Sequence, residues 1–191
     1  MNTPAHILFG WAVLARGAHA RLSRVAILGA VFPDLSLYLL ASVSLFVLQI
    51  EPNVVFGELY FSPLWQGIFA VDNSFVVWTA LFLLAYFRSS QVGMIFTAAA
   101  LLHLAFDFPL HHDDGRAHFW PLTNWVFESP VSYWDHQHYA QWVAPLEALA
   151  ALACGLALYQ GFTFRPQHIV VTLLLVLELI AVLPGFLFMF P

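Results

Sequence analysis

The stretch HLAFDFPLHHDDGRAH, residues 103–118, places four histidines and three aspartates within sixteen positions at the end of an apolar run. Its first half continues a hydrophobic helix, and His103 and Asp107, four residues apart, share one face of it. Pro109 then stops the helix, so that His111, His112, Asp113, Asp114 and His118 can fold back over its end. Ionisable side chains inside a membrane segment are costly, and a functional reading is their default. The fold therefore turns on whether the surroundings of this stretch belong in lipid.

They do. Of the 191 residues, 61% are hydrophobic and 9% charged, and the mean hydropathy is +0.80. A soluble domain carries about 25% charged residues. There is no lysine, the six basic residues are all arginine, and the net charge is −5, which argues against nucleic acid as a partner. His6, Trp11 and a late Arg16 do not fit a cleavable signal peptide. The single cysteine, Cys154, sits in an apolar run and reads as a small buried residue.

Apolar stretches at 7–14, 25–48, 75–87, 93–106, 143–159 and 169–190 predict an all-α, polytopic membrane bundle of about six segments, forming one domain over 1–191. Arg16, Arg21 and Arg24 fall between segments one and two, Arg88 between three and four, and Arg165 between five and six. All three loops then lie on one side, the cytoplasmic one. The connections 50–72 and 108–141 face outward, which for a bacterial inner membrane is the periplasm. Within 108–141, Phe119, Trp120, Trp125, Phe127, Tyr133, Trp134 and Tyr139 suit the lipid headgroup level, so this loop is expected to cap the bundle.

Other polar groups converge on the outer half. His6 precedes Arg16 by ten residues and Asp34 follows Arg24 by ten, so in a helical hairpin they sit at equal depth, about 15 Å from the inner face. They can meet, either as part of a site or in a structural hydrogen bond. His103 and Asp72 lie somewhat further out, and Glu147 near the outer end of segment five. Imidazole with carboxylate suits a divalent metal: zinc, with manganese and iron as alternatives. The candidate ligands are His6, Asp34, His103 and Asp107, joined by His111, His112 and His118. Asp72 is a further ligand or the base that orients water, and Arg116, alone among the basic residues on that side, steadies a substrate phosphate. For 111–118 taken alone, a polar surface loop is an equally good reading. Asp135, His136 and His138 read as interfacial, Glu178 as an intramembrane carboxylate without an obvious partner, and His19 and His168 as bystanders.

Thr3-Pro4-Ala5-His6-Ile7-Leu8-Phe9-Gly10, Gly29-Ala30-Val31-Phe32-Pro33-Asp34, the pair His103 and Asp107, and Trp120-Pro121-Leu122 together resemble the membrane-bound, LexA-regulated family of predicted metal-dependent hydrolases. That family is grouped distantly with zinc-dependent phospholipase C and related nucleases. The resemblance covers roughly residues 3–122 and implies phosphoester hydrolysis at a bound metal. The chain departs from the family pattern at Ser36, where a second aspartate is usual, and at Val71-Asp72-Asn73-Ser74, where a histidine-containing element is usual. The whole chain also resembles small alphaproteobacterial membrane proteins assigned to cobalamin biosynthesis as amidotransferases. That chemistry needs a phosphate-cradling loop and a cysteine nucleophile, and the sequence has no Gly-rich loop and only the mid-membrane Cys154.

The leading expectation is a membrane-embedded, metal-dependent hydrolase acting on a lipid-like phosphoester at the outer face, with membrane lipids as its surroundings. The alternatives are a metal- or haem-handling membrane protein and a structural subunit of a larger membrane complex.

Overall fold

The computed structural model describes residues 1–162 and 165–187, and within them every regular element is helical. We label α1 (Thr3–Ala15), α2 (Ala20–Val47), α3 (52–59), α4 (Pro63–Asp72), α5 (Phe75–Phe87), α6 (Gln91–Asp107), α7 (Ala140–Gly161) and α8 (Arg165–Leu187). Four stretches are long and apolar enough to cross a membrane: Ala20–Val47, Pro63–Phe87, Ala140–Gly161 and Pro166–Leu183. Side chains such as Leu28, Phe46, Leu81, Leu149 and Leu173 stand exposed on them, as lipid-facing positions require. Helices α1 and α6, with 13 and 17 residues, are apolar but shorter. Positions 188–190 of the expected last segment lie outside the described residues.

The connection 50–72, expected as an outer loop, is largely helical, and the third segment starts at Pro63 rather than at 75. Pro63 occupies the first turn, where its missing N–H costs nothing, and the Ser62 hydroxyl accepts from Trp65 N at 3.4 Å. Asp72-Asn73-Ser74 look like the border of a span but are an interruption within one. Asn73 leaves the helix, and Ser74 starts the next one by accepting from Val77 N at 3.1 Å.

At about 1.5 Å per residue, α1 spans only about 20 Å, well short of a bilayer core. It is nevertheless the hub, packed against α2, α6, α7 and α8. Its Leu8 and Trp11 are buried in a cluster with Leu158 of α7 and Val171 of α8. Small residues let α1, α2 and α6 approach closely: a Cβ on Gly10 would lie 3.0 Å from the Ala30 methyl, and one on Gly29 would lie 2.2 Å from the Phe96 carbonyl oxygen. That closeness brings His6, Asp34 and His103 within reach of each other.

Helix α2 changes course at Phe32–Asp34, a single 3-10 turn around Pro33. Proline has no N–H to continue the helical ladder. The Pro33 carbonyl accepts from Asn73 Nδ2 at 3.3 Å, and the Ala30 carbonyl lies 2.7 Å from His103 Nδ1. The loop from 108 to 139 folds back over this end of the bundle, as expected of a cap. Ser129 N donates to the His111 carbonyl (3.0 Å), Tyr133 N to that of Leu110 (3.2 Å) and Phe75 N to that of His118 (2.8 Å). Trp125, Trp134 and Trp142 remain exposed around it.

Glu178 has partners that its position in a leucine-rich run gave no hint of. It and Glu147, facing each other from α8 and α7, are both buried. Asn2 Nδ2 donates to Glu178 Oε1 at 3.4 Å, and Asn2 N to Glu147 Oε1 at 2.6 Å.

Gly29→Ala should destabilise by about 1–3 kcal/mol, because the obstructing atom is backbone and cannot swing away. Gly67→Ala, where an added Cβ meets nothing within 4 Å, should be neutral or stabilising. Melting temperatures of the two variants in detergent check this. Equal behaviour would mean that the α2–α6 contact is looser than described.

Candidate metal centre

Asp107, the last residue of α6, is buried and receives polar groups on both carboxylate oxygens. His6 Nε2 lies 2.8 Å and the Met1 amino nitrogen 2.6 Å from Oδ1. His103 Nε2 lies 3.1 Å and His111 Nε2 3.5 Å from Oδ2. The His6 and His103 rings stack with centroids 3.6 Å apart. Ligand atoms from His6, His103 and Asp107 all fall within 4.8 Å of one another, close enough to hold one metal ion.

His103 carries the clearest sign of what the cluster is poised to do. The Ala30 carbonyl can only accept, so Nδ1 of His103 bears a hydrogen, and in the neutral imidazole Nε2 then carries the lone pair. That lone pair sits between Asp107 Oδ2 at 3.1 Å and Asp34 Oδ1 at 3.6 Å, and makes no hydrogen bond to either. An imidazole lone pair facing two carboxylates calls for a cation among them. A histidine whose far nitrogen is tied to a carbonyl is also the usual arrangement of a metal-binding one. His6 Nδ1 likewise has no partner among the described residues. The donor set therefore fits a divalent ion.

Asp34 joins the cluster through His103 rather than through a direct bond to His6. Its Oδ2 accepts from Thr3 Oγ1 at 3.2 Å, and the Thr3 hydroxyl also meets that of Tyr38. His111 completes the ring, with Nδ1 2.9 Å from Asp114 Oδ2. Burial disfavours its imidazolium, but the Asp107 and Asp114 carboxylates outweigh this and lift its pKa above the usual histidine range. His118 Nδ1 donates to the Arg116 carbonyl at 2.9 Å, and its ring borders the same crevice as Asp107 and His111. Burial pushes its pKa down to about 4, which leaves its second nitrogen free as a donor atom.

Two expected members stand elsewhere. His112 points away from its neighbour His111 into the outer loop, where Nδ1 lies 2.6 Å from the Ser129 carbonyl. Asp72 is half-buried at the end of α4 and lines neither cavity at the cluster. The helix ends at Asn73, and it is Asn73 that is buried against the crevice.

Arg116 is buried beside the cluster. It donates to Asn73 Oδ1 at 3.0 Å and Tyr60 Oη at 3.4 Å, lies 3.8 Å from Asp34 Oδ1, and sits over the Phe69 ring at 4.9 Å. Its Nε has no partner among the described residues. Burial works against its charge, but Tyr60 and Asp34 more than compensate, so the guanidinium stays charged. A cavity of about 180 Å³ opens here, walled by Asp34, Asp107, His111, Asp114 and Arg116, with Tyr38, Tyr60 and Tyr133 around them. No family model, curated protein or solved structure matches the chain.

Sequence reasoning missed Tyr60, Asn73 and Asp114. Tyr60 comes from the stretch taken for an outer loop, and Asn73 lies between that stretch and the expected third segment. Asp114 was visible only as one of many charges after Pro109; its pairing with His111 at i and i+3 was the available signal.

Removing the common acceptor should be costly. Asp107→Ala leaves His6, His103 and His111 without their partner and should destabilise by about 3–5 kcal/mol, as expected for breaking a buried ionic network. Asp107→Asn keeps the shape and should lose less. Thermal unfolding of metal-stripped protein tests this, and an unchanged Asp107→Ala variant would remove Asp107 from the centre.

Proposed function

We propose that the chain is a membrane-embedded, metal-dependent hydrolase acting on a lipid-like phosphoester at the outer face of a bacterial inner membrane. The observation that carries this reading is His103 Nε2 held between two buried carboxylates beside a charged arginine and an open cavity. His6, His103 and Asp107 hold the ion, zinc by preference, with Asp34 and His111 at its edge and His118 in reserve. An ion held by these residues would supply Lewis-acid activation of water and of the phosphoryl group.

The chain's own groups do the rest. Arg116, whose side chain lines the cavity, fixes the phosphoryl group by the charge of its guanidinium. Asn73 and Tyr60 brace the guanidinium in turn. Of the two roles expected of Asp72, a further ligand or the base that orients water, the second passes to Asp114, which lines the cavity and whose Oδ2 accepts from Trp134 Nε1 at 3.1 Å. A cavity of about 180 Å³ takes a phosphate and a few further atoms, so an attached hydrocarbon remains in lipid.

The six-segment arrangement supports the same reading, with α1 and α6 as partial spans supported by their neighbours. Arg16, Arg21, Arg24 and Arg88 then lie on the cytoplasmic side and the 108–139 loop outside. In a Cys154→Ala background, cysteines at the exposed positions 20, 91 and 122 report the orientation through an impermeant thiol reagent applied to intact cells. Reaction at 122 alone is expected; reaction at 20 and 91 alone reverses the topology.

The activity test uses the purified, detergent-solubilised chain with phosphatidic acid in mixed micelles. Phosphate release should require zinc or manganese, fall at least 100-fold in Asp107→Asn, and fall by about 10- to 100-fold in Arg116→Lys, which keeps charge but loses the guanidinium fork. Stoichiometric metal without hydrolysis of any phosphoester offered would favour the metal-handling alternative. Absence of metal, with Asp107→Asn losing only a protein partner, would favour a structural subunit.

A further inference from the structure

Among the described residues that line the cavity beside the cluster, Tyr38 alone is exposed, at 45%. Asp34, Tyr60, Asp107, His111 and Arg116 on the same lining are buried. Over the cavity lies the capping loop, tied down at Asp114: Tyr60 Oη donates to its carbonyl at 3.2 Å, and Trp134 Nε1 to its Oδ2 at 3.1 Å. The exposed part of the rim is therefore on α2 and not on the loop.

The depth of Tyr38 says what it is exposed to. It stands fourteen residues after Arg24 on the same membrane-crossing stretch. At about 1.5 Å per residue that is about 21 Å from the arginine end, still inside a hydrocarbon core of about 30 Å. Leu35 and Leu39, on either side of it along α2, are exposed apolar side chains. A group that enters past Tyr38 comes from the bilayer.

Hydroxyl groups hold this rim. Thr3 Oγ1 lies 3.2 Å from Asp34 Oδ2, and an ionised carboxylate only accepts, so Thr3 donates to Asp34 and its oxygen receives the Tyr38 hydroxyl. The other oxygen of Asp34 lies 3.6 Å from His103 Nε2 and 3.8 Å from Arg116 Nη1. One aspartate thus separates the rim from the cationic end of the cavity, where an anion would settle.

We propose that the cavity is entered sideways from the bilayer, past Tyr38, and that it takes a phosphate at the end of a membrane lipid rather than a phosphate ester dissolved in water. The phosphate lies with Arg116, and the hydrocarbon stays outside, along Leu35 and Leu39. A volume of about 180 Å³ is roughly six times the ~30 Å³ share of a water in the liquid, enough for the polar end of a lipid and too little for its chains. The choice of a phosphate rests on the hydrolase reading; the place of the mouth does not.

Two measurements on the full-length chain in phosphatidylcholine vesicles test this. In a Cys154→Ala background, a nitroxide attached at Tyr38→Cys should be relaxed by oxygen, which partitions into lipid, and little by a water-soluble nickel chelate. Leu39→Cys should behave alike, and Leu122→Cys, exposed on the capping loop, should respond to nickel. In the second measurement the vesicles carry phosphatidic acid with a photoreactive group in its acyl chain. Cross-links should concentrate on 35–39, fall about tenfold in Arg116→Lys, and be competed by unlabelled phosphatidic acid but not by the same concentration of inorganic phosphate. If Arg116→Lys does not fold, the competition on the wild-type chain decides. Nickel access at 38 equal to that at 122 puts the mouth in water and overturns the proposal. Cross-linking that excess phosphatidic acid does not reduce, or that inorganic phosphate reduces equally, overturns it too. Specific cross-linking without phosphate release from any lipid keeps the sideways entry and removes the hydrolase reading. Hydrolysis of a water-soluble phosphoester without cross-linking keeps the hydrolase and removes the sideways entry.

Discussion

One carboxylate organises this end of the molecule. Asp107 stands where α6 stops, with imidazoles from α1, from its own helix and from the returning loop gathered around its carboxylate. A lone anion there would be strongly disfavoured, and three imidazoles gathered without it would have nothing to face. The small-residue packing of α1, α2 and α6 is what makes the gathering possible, because side chains as short as aspartate and histidine reach each other only if the helices nearly touch. The break at Pro33 adds the last constraint by bringing the Ala30 carbonyl to His103.

Much of this was legible before any coordinates. The helical character follows from composition, and the shared face of His103 and Asp107 follows from their spacing. Equal distance from the arginine turn places His6 and Asp34 at one depth, and they do belong to one cluster, although His103 stands between them. Depth along a helix can be read from residue counts; rotation about its axis cannot, which is why Asp72 was a candidate and its neighbour Asn73 holds the place.

Residues from irregular backbone were the least legible. His111 and His112 are chemically identical and adjacent, yet one turns inward to Asp107 and the other outward to Ser129. No periodicity governs a chain after a proline, and the difference is set by contacts with distant parts of the loop. The 50–72 stretch failed for another reason. Its glutamates, glycines and prolines look like a connection, but Ser62 and Pro63 together are a helix start, and the tyrosine that braces Arg116 lies just before them.

The central place of the short helix α1 bears on how the protein is made. Apolar but too short to span a bilayer unaided, it leaves the ribosome before the helices it packs against, and its His6 waits for a partner 101 residues later in the chain. The helices that flank it, α7 and α8, follow after α6 and the capping loop. Until they arrive, the hub has no walls and its polar atoms face lipid or water. The apolar packing around Trp11 is thus completed late, and a chain truncated or stalled before α7 leaves Trp11 without Leu158 and Phe162 against it.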